Sequence, residues 1–344
     1  TIGTDASLTQ QSQLTVTVLD AGLPVQGANV SVGGSVQTTD ANGQITASSI
    51  WRYYDETGDS QNTAQRTVVI QHANINRYRS WQPINNAEIE VMISTVPTGS
   101  TTEFLRLEPL FSPWHLGDDL LVSSGTTLEI LSGVELSQST DSTFIVEGTL
   151  RSDGAWFGGT ASGGIDVKNS GSLFMDSSSY SGGPISISGH SDFNQMVISD
   201  APLTVTDSGI ASITDGIISN TDICIRVTGT VHISGTTIQD CSMYGIWTTS
   251  AEQEITGLNV GAGTPNGAWI QEGSGNLTDW NSSSYDGSGS VLFLQMVDES
   301  LQVHGMDLYT NGGGFAVRIE QSDGFELSDS MITGSPGISI ENSH

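Results

Sequence analysis

Three short segments carry side chains that could act on a substrate: Asn220-Thr221-Asp222, Gln239-Asp240-Cys241 and Arg318-Ile319-Glu320. Inverting hydrolysis of a glycosidic bond needs two carboxylates on opposite sides of it, one protonated and one ionised. Elimination would instead need a Lys or Arg base beside acidic calcium ligands, and the repeats hold few cations, among them Lys168, Arg226 and Arg318. Asn, Thr, Asp and Gly are also the residues that close turns between short strands, so the same segments have a purely structural use.

A second set is aromatic. If Ile246 and Ile338 face inward, the next residue in each repeat faces solvent, which aligns Trp247, Trp269, Val291, Ala316 and Ser339 in one column. Trp247, Trp269 and Phe293 are the candidate glycan-binding or partner-binding residues, because flat exposed rings pack against sugar rings. The structural alternative is an aromatic ladder covered by a neighbouring loop or by the N-terminal domain. Oxygen ligands for Ca2+ could come from Asp118, Asp119, Glu272, Asp279, Glu320, Asp329 and Glu341, though none lies in a loop with dedicated spacing. No cofactor is expected, with calcium the one ion the chain could take. The six His residues are scattered, with His232 expected to face solvent and His304 at a turn, so no zinc triad can be argued.

The elements that must position these groups recur along the last third of the chain. Val231-His232-Ile233-Ser234-Gly235, Gln253 to Gly257, Gly275 to Asp279, Leu301 to Gly305 and Phe325 to Asp329 share one order: apolar, polar, apolar, small polar, Gly or Asp. The register points Ile233, Ile255, Leu277, Val303 and Leu327 lie 22, 22, 26 and 24 residues apart. A second template begins at Gly245, Gly267, Gly289, Gly314 and Gly337. Both alternate with period two, which marks strands with one buried face. Units this short cannot close a core alone, so neighbours must stack and share one.

With no helical period between the strands, the repeats resemble the right-handed parallel β-helix (pectin-lyase-like) superfamily over residues 109 to 344. That resemblance implies a fold and leaves function open, since the superfamily contains enzymes, adhesins and inert surface proteins. The Asn-Thr-Asp, Asp-Cys and Arg-Ile segments resemble the polygalacturonase family of glycoside hydrolases. Carried over, the resemblance implies Asp222 and Asp240 as the acid and base carboxylates and Arg318 as a substrate clamp. The chain departs from it in having a single acid at Asp240, no Gly-His-Gly motif, and Glu320 where the family has Lys.

Residues 1–10 read as a flexible lead. After them, strands at Leu14 to Leu19 and Leu23 to Val32 are followed by the turn Asp40-Ala41-Asn42-Gly43 and by strands at Arg66 to Ile70 and Ala87 to Ile93. This order resembles carboxypeptidase-regulatory-like or transthyretin-like β-sandwiches, which act as spacers or binding accessories. The fold class expected is therefore all-β: a sandwich over 11–97, a linker over 98–112, and a right-handed parallel β-helix over 113–344. About ten coils, roughly 48 Å at ~4.8 Å per strand, follow from ~23 residues per coil. Pro113 and Trp114 are candidates for capping its first coil, and the repeats are expected to continue beyond His344.

Nine Lys and Arg against 38 Asp and Glu leave a net charge of −29, which disfavours nucleic acid because phosphate neutralisation needs clustered cations. Anionic polysaccharides would also be repelled unless divalent cations bridged them. No stretch reaches the roughly 18 apolar residues of a membrane span. Cys224 and Cys241, 17 residues apart, are either paired or small core residues. The expectation is a secreted or cell-surface structural or adhesive protein. It would bind glycan, matrix or other surface-protein subunits and could self-associate through the β-helix ends. The alternative is a carbohydrate-active enzyme.

Overall fold

The computed structural model describes residues 7–55, 58–72, 75–159, 163–283, 285–310, 313–334 and 336–343. The chain forms two compact units: Thr1–Val96 with Leu110–His115, and Pro97–Pro109 with Leu116–His344. Among the described residues every long element is a strand.

In the first unit, Leu8–Asp20 pairs antiparallel with Gln44–Asp55 and parallel with Ala87–Met92. A second sheet joins Asn29–Val32 to Ser35–Thr38 and Arg66–His72, the last of which pairs with Ile75–Trp81. Alternate residues of both sheets, including Leu14, Val16, Val18, Val30, Val68 and Ile70, close one core, the arrangement of a sandwich. The first strand begins at Leu8, inside the stretch expected to be a flexible lead. The Asp40 turn is built as its residues suggest. Asp40 Oδ1 accepts the amides of Asn42 and Gln44, and Gly43 takes φ +71°, where a β-carbon would lie 2.5 Å from the Val18 carbonyl.

The second unit is a right-handed parallel β-solenoid of about 11 turns. One of its sheets stacks eleven rungs from Leu105–Leu107 to Glu326–Ser328. The first rung lies in the stretch read as a linker: Leu105–Leu107 pairs with Leu128–Ile130, and Gly99–Ser100 pairs with Leu120–Leu121. Pro97, Gly99 and Pro109 suggested a connection, but they bracket a short strand that needs no side-chain alternation of its own to pair. Leu110–His115 cluster instead with the first unit, where Phe111 meets Trp114 edge-on at 6.2 Å.

Ile213, Ile233, Ile255, Leu277 and Val303 are mutual partners on consecutive rungs, each at most 1% exposed. Each such column buries its aliphatic side chains against the rungs above and below, at about 1.5–3 kcal/mol per side chain. The fifth template position is the corner that follows. Gly235, Gly257, Asp279, Gly305 and Asp329 all have φ between +47° and +66°, the left-handed region that Gly enters freely and Asp tolerates. The two residue types also interlock across rungs. Asp215 Oδ1 lies 2.3 Å from where a β-carbon on Gly235 would stand, and Asp279 Oδ1 lies 2.5 Å from that of Gly305.

The Gly-keyed alignment of the second template slips by two residues in the repeats that begin at Gly289 and Gly314, and is in register again at Gly337. Trp269 pairs with Phe293, Phe293 with Arg318 and Arg318 with Ser339, while Val291 and Ala316 are fully buried. What recurs is a pair of adjacent buried residues, Gly267-Ala268, Val291-Leu292 and Ala316-Val317, and Gly is only one way to fill its first place.

Candidate functional site

The two carboxylates singled out by motif lie on adjacent rungs. Asp222 is on Ile217–Val227 and Asp240 on Thr237–Thr249, flanking the Thr221–Cys241 pair. Both are exposed. Asp222 accepts a hydrogen bond from the Ser242 hydroxyl, and Asp240 Oδ2 accepts one from Gln239 Nε2 at 3.2 Å. Asp240 is also a corner residue with φ +54°, in line with Asp200, Asn220 and Gly263 on neighbouring rungs. Its amide donates to the Ala262 carbonyl at 2.9 Å, and its Oδ1 leans over Gly263. Asn220 and Asp240 thus serve as corner residues of the solenoid. Arg318 does not join them. It lies three rung intervals beyond Trp247, about 14 Å along the axis, and forms an ion pair with Glu320.

Cys224 and Cys241 form a disulfide across these two rungs, with Cα atoms 5.8 Å apart. Although 17 residues is less than a turn, a register shift between Thr221 and Ile223 brings Cys224 diagonally opposite its partner.

The aromatic residues form a ladder along the axis. The Trp247 and Trp269 rings are stacked at 5.3 Å with 2° between planes, and Trp269 and Phe293 at 5.5 Å with 16°. Arg226 lies 4.8 Å above the outer face of Trp247, and Arg318 lies 5.0 Å above that of Phe293. Tyr244 packs at 5.5 Å from Trp269. Trp247, Trp269 and Phe293 thus each have two such partners, a ring or a guanidinium. The indole nitrogens of both tryptophans are shielded from solvent and have no acceptor among the described residues. An unpaired N–H in such a place costs about 1–3 kcal/mol, of the same order as the stacking of two aromatic pairs at about 0.5–1.5 kcal/mol each.

A different tryptophan presents a face. Trp156, 49% exposed, stands on Trp156–Gly159 next to Glu135 and Ser179 on the adjoining rungs. The benzo half of its indole lies over Gly158, where a β-carbon would come within 2.1 Å of Cη2 and 2.7 Å of Cζ2 and Cζ3. Those distances put the ring's flat side against the strand. Beside it runs a groove of about 340 Å³ lined by Glu135, Ser177, Ser179, Gln195 and Val197. Motif matching passed over Trp156. The legible signal was a Trp two residues before a Gly, which puts both on one face of a strand and leaves the ring room to lie down.

The acids considered for calcium are spread among other tasks. Glu272 accepts the Ser250 hydroxyl at 2.9 Å, Asp119 accepts the Thr143 amide, and Asp279 and Asp329 are corners. Among the described residues no three His, Cys, Asp or Glu side chains converge as metal ligands would. His232 is exposed on the outer face, as its place in the template requires. No helix among the described residues is long and apolar enough to cross a membrane. Comparison with known proteins finds no family model that matches the chain and no curated protein similar to it.

Proposed function

We propose that this protein is a non-catalytic, glycan-binding structural or adhesive solenoid displayed outside the cell. We assign its repeats to the pectin-lyase-like superfamily of right-handed parallel β-helices and its N-terminal unit to the carboxypeptidase-regulatory-like sandwiches, acting as a spacer. The observation that carries the reading is the separation of Arg318 from the two carboxylates. Asp222 is exposed on its strand and Asp240 at a corner, and the only cation that the hydrolase motif would supply is paired with Glu320 on a distant rung. Hydrolysis would need one carboxyl kept protonated by burial or by a neighbouring charge, and both candidates are exposed. The stacked rungs do supply long, rigid, regularly spaced side faces, which suit multivalent binding to a repeating polymer.

The test incubates the protein with a panel of neutral and acidic polysaccharides and follows two signals, retention on the polymer and release of reducing or unsaturated ends. Retention without release is expected, unchanged in Asp240→Asn. Release that disappears in Asp240→Asn would establish the enzyme and remove this proposal.

A further inference from the structure

Building on the glycan-binding reading, we infer that the polymer docks at Trp156 and along the stripe beyond it, and that it is a chain of uncharged hexopyranose units. Trp156, Ser179, Val197 and Ile217 are successive partners at one register position, so their side chains form a single line parallel to the axis. Three intervals at ~4.8 Å make the line about 14 Å long, room for about two to three pyranose rings. Its members are matched to a sugar chain. Trp156 offers a free aromatic face whose negative quadrupole attracts the axial C–H groups of a pyranose. Ser179 offers a hydroxyl, and Val197 and Ile217, 42% and 41% exposed, offer aliphatic surface for the next ring faces.

The rim explains the choice of charge. The Ser177 hydroxyl is within hydrogen-bond distance of Asp176 at 3.1 Å and Gln195 at 3.3 Å, and Glu135 is in the groove lining. These carboxylates, Glu135 in the lining and Asp176 bonded to the lining residue Ser177, on a chain of net charge −29, repel uronates and sulfated sugars. Gln195 and the serines are left to exchange hydrogen bonds with neutral hydroxyls. Gly158 is the positioning residue, since any β-carbon there would lift the indole off the strand and close the angle at which a sugar ring can lie on it.

Affinity electrophoresis separates the possibilities, using gels that contain laminarin, hydroxyethyl cellulose, galactomannan or polygalacturonate. At least one of the three uncharged polymers is expected to retard the protein, and polygalacturonate is not. Trp156→Ala and Gly158→Val should each weaken the retardation at least tenfold, Trp156→Phe should keep part of it, and far-ultraviolet circular dichroism should be unchanged in all three. Retardation that survives Trp156→Ala, or that only polygalacturonate produces, overturns the assignment to this stripe. No retardation of the unmodified protein by any polymer overturns both this assignment and the adhesive reading beneath it.

Discussion

Trp156 and Trp269 both point outward from the same parallel solenoid, and both could be called surface tryptophans, yet only one has a face to offer. Trp269 has aromatic partners on the rung before and the rung after, Trp247 and Phe293, so its two faces are consumed at 5.3 and 5.5 Å. Trp156 has Glu135 and Ser179 as rung neighbours and Gly158 beneath its benzo ring, so one face rests on backbone while the indole stays 49% exposed. In a solenoid the neighbours that decide what an outward side chain can do are about a turn away in sequence. Aromatic residues in register become internal reinforcement, and an isolated one beside a glycine becomes a surface.

The comparison breaks most visibly at the centre of the ladder. Trp269→Ala removes two stacked pairs and half-buried apolar surface, and is expected to lower stability by about 3 kcal/mol, read from the denaturant midpoint. Trp156→Ala should leave that midpoint within about 0.5 kcal/mol, as surface substitutions do. Equal losses would mean that the two rings are both structural.

A smaller effect of opposite sign is expected just inside the ladder. Gln253 is fully buried in the inner column between Val231 and Gly275, and neither end of its amide has a partner among the described residues. Gln253→Leu should raise stability by about 1–2 kcal/mol, because it removes an uncompensated polar group. A loss instead would reveal an ordered water bonded to the amide.

The smallest expected effect lies outside both regions, in the N-terminal unit. Burial, and secondarily the Arg77 charge, hold the His115 imidazole below its ordinary pKa. As pH falls through about 6.5 the unfolded chain takes up that proton before the folded one does. The penalty is thus absent above that pH and grows below it. His115→Gln should flatten the fall in stability between pH 7 and pH 5, measured by denaturant titration at each pH. An unchanged slope would assign the acid sensitivity to other groups.

Much of the solenoid was legible because its physics is local. Period-two alternation marks a buried face, and Gly or Asp at every fifth template position marks a left-handed corner, so Ile233, Ile255 and Leu277 could be placed in one column from spacing alone. At the motifs the same legibility is double-edged. Asn220 and Asp240 match a catalytic pattern because both that pattern and a plain corner use short polar side chains that accept positive φ. The Gly-keyed register failed in the two repeats after Trp269, though not at Ser339, because small residues fill only some of the equivalent sites, and Val291 or Ala316 serve as well.

What the amino-acid order determined by itself was the repeat, its turns and its inner columns, since each depends on residues close in the chain and on burial. Only the tertiary structure decided which outward residues meet. Turns of unequal length, from 18 residues between Leu173 and Ser191 to 26 between Gly275 and Leu301, change the pairing by steps that no single repeat records. The stacking of Phe293 on Trp269, the removal of Arg318 from the carboxylates and the free face of Trp156 all follow from that accumulated register.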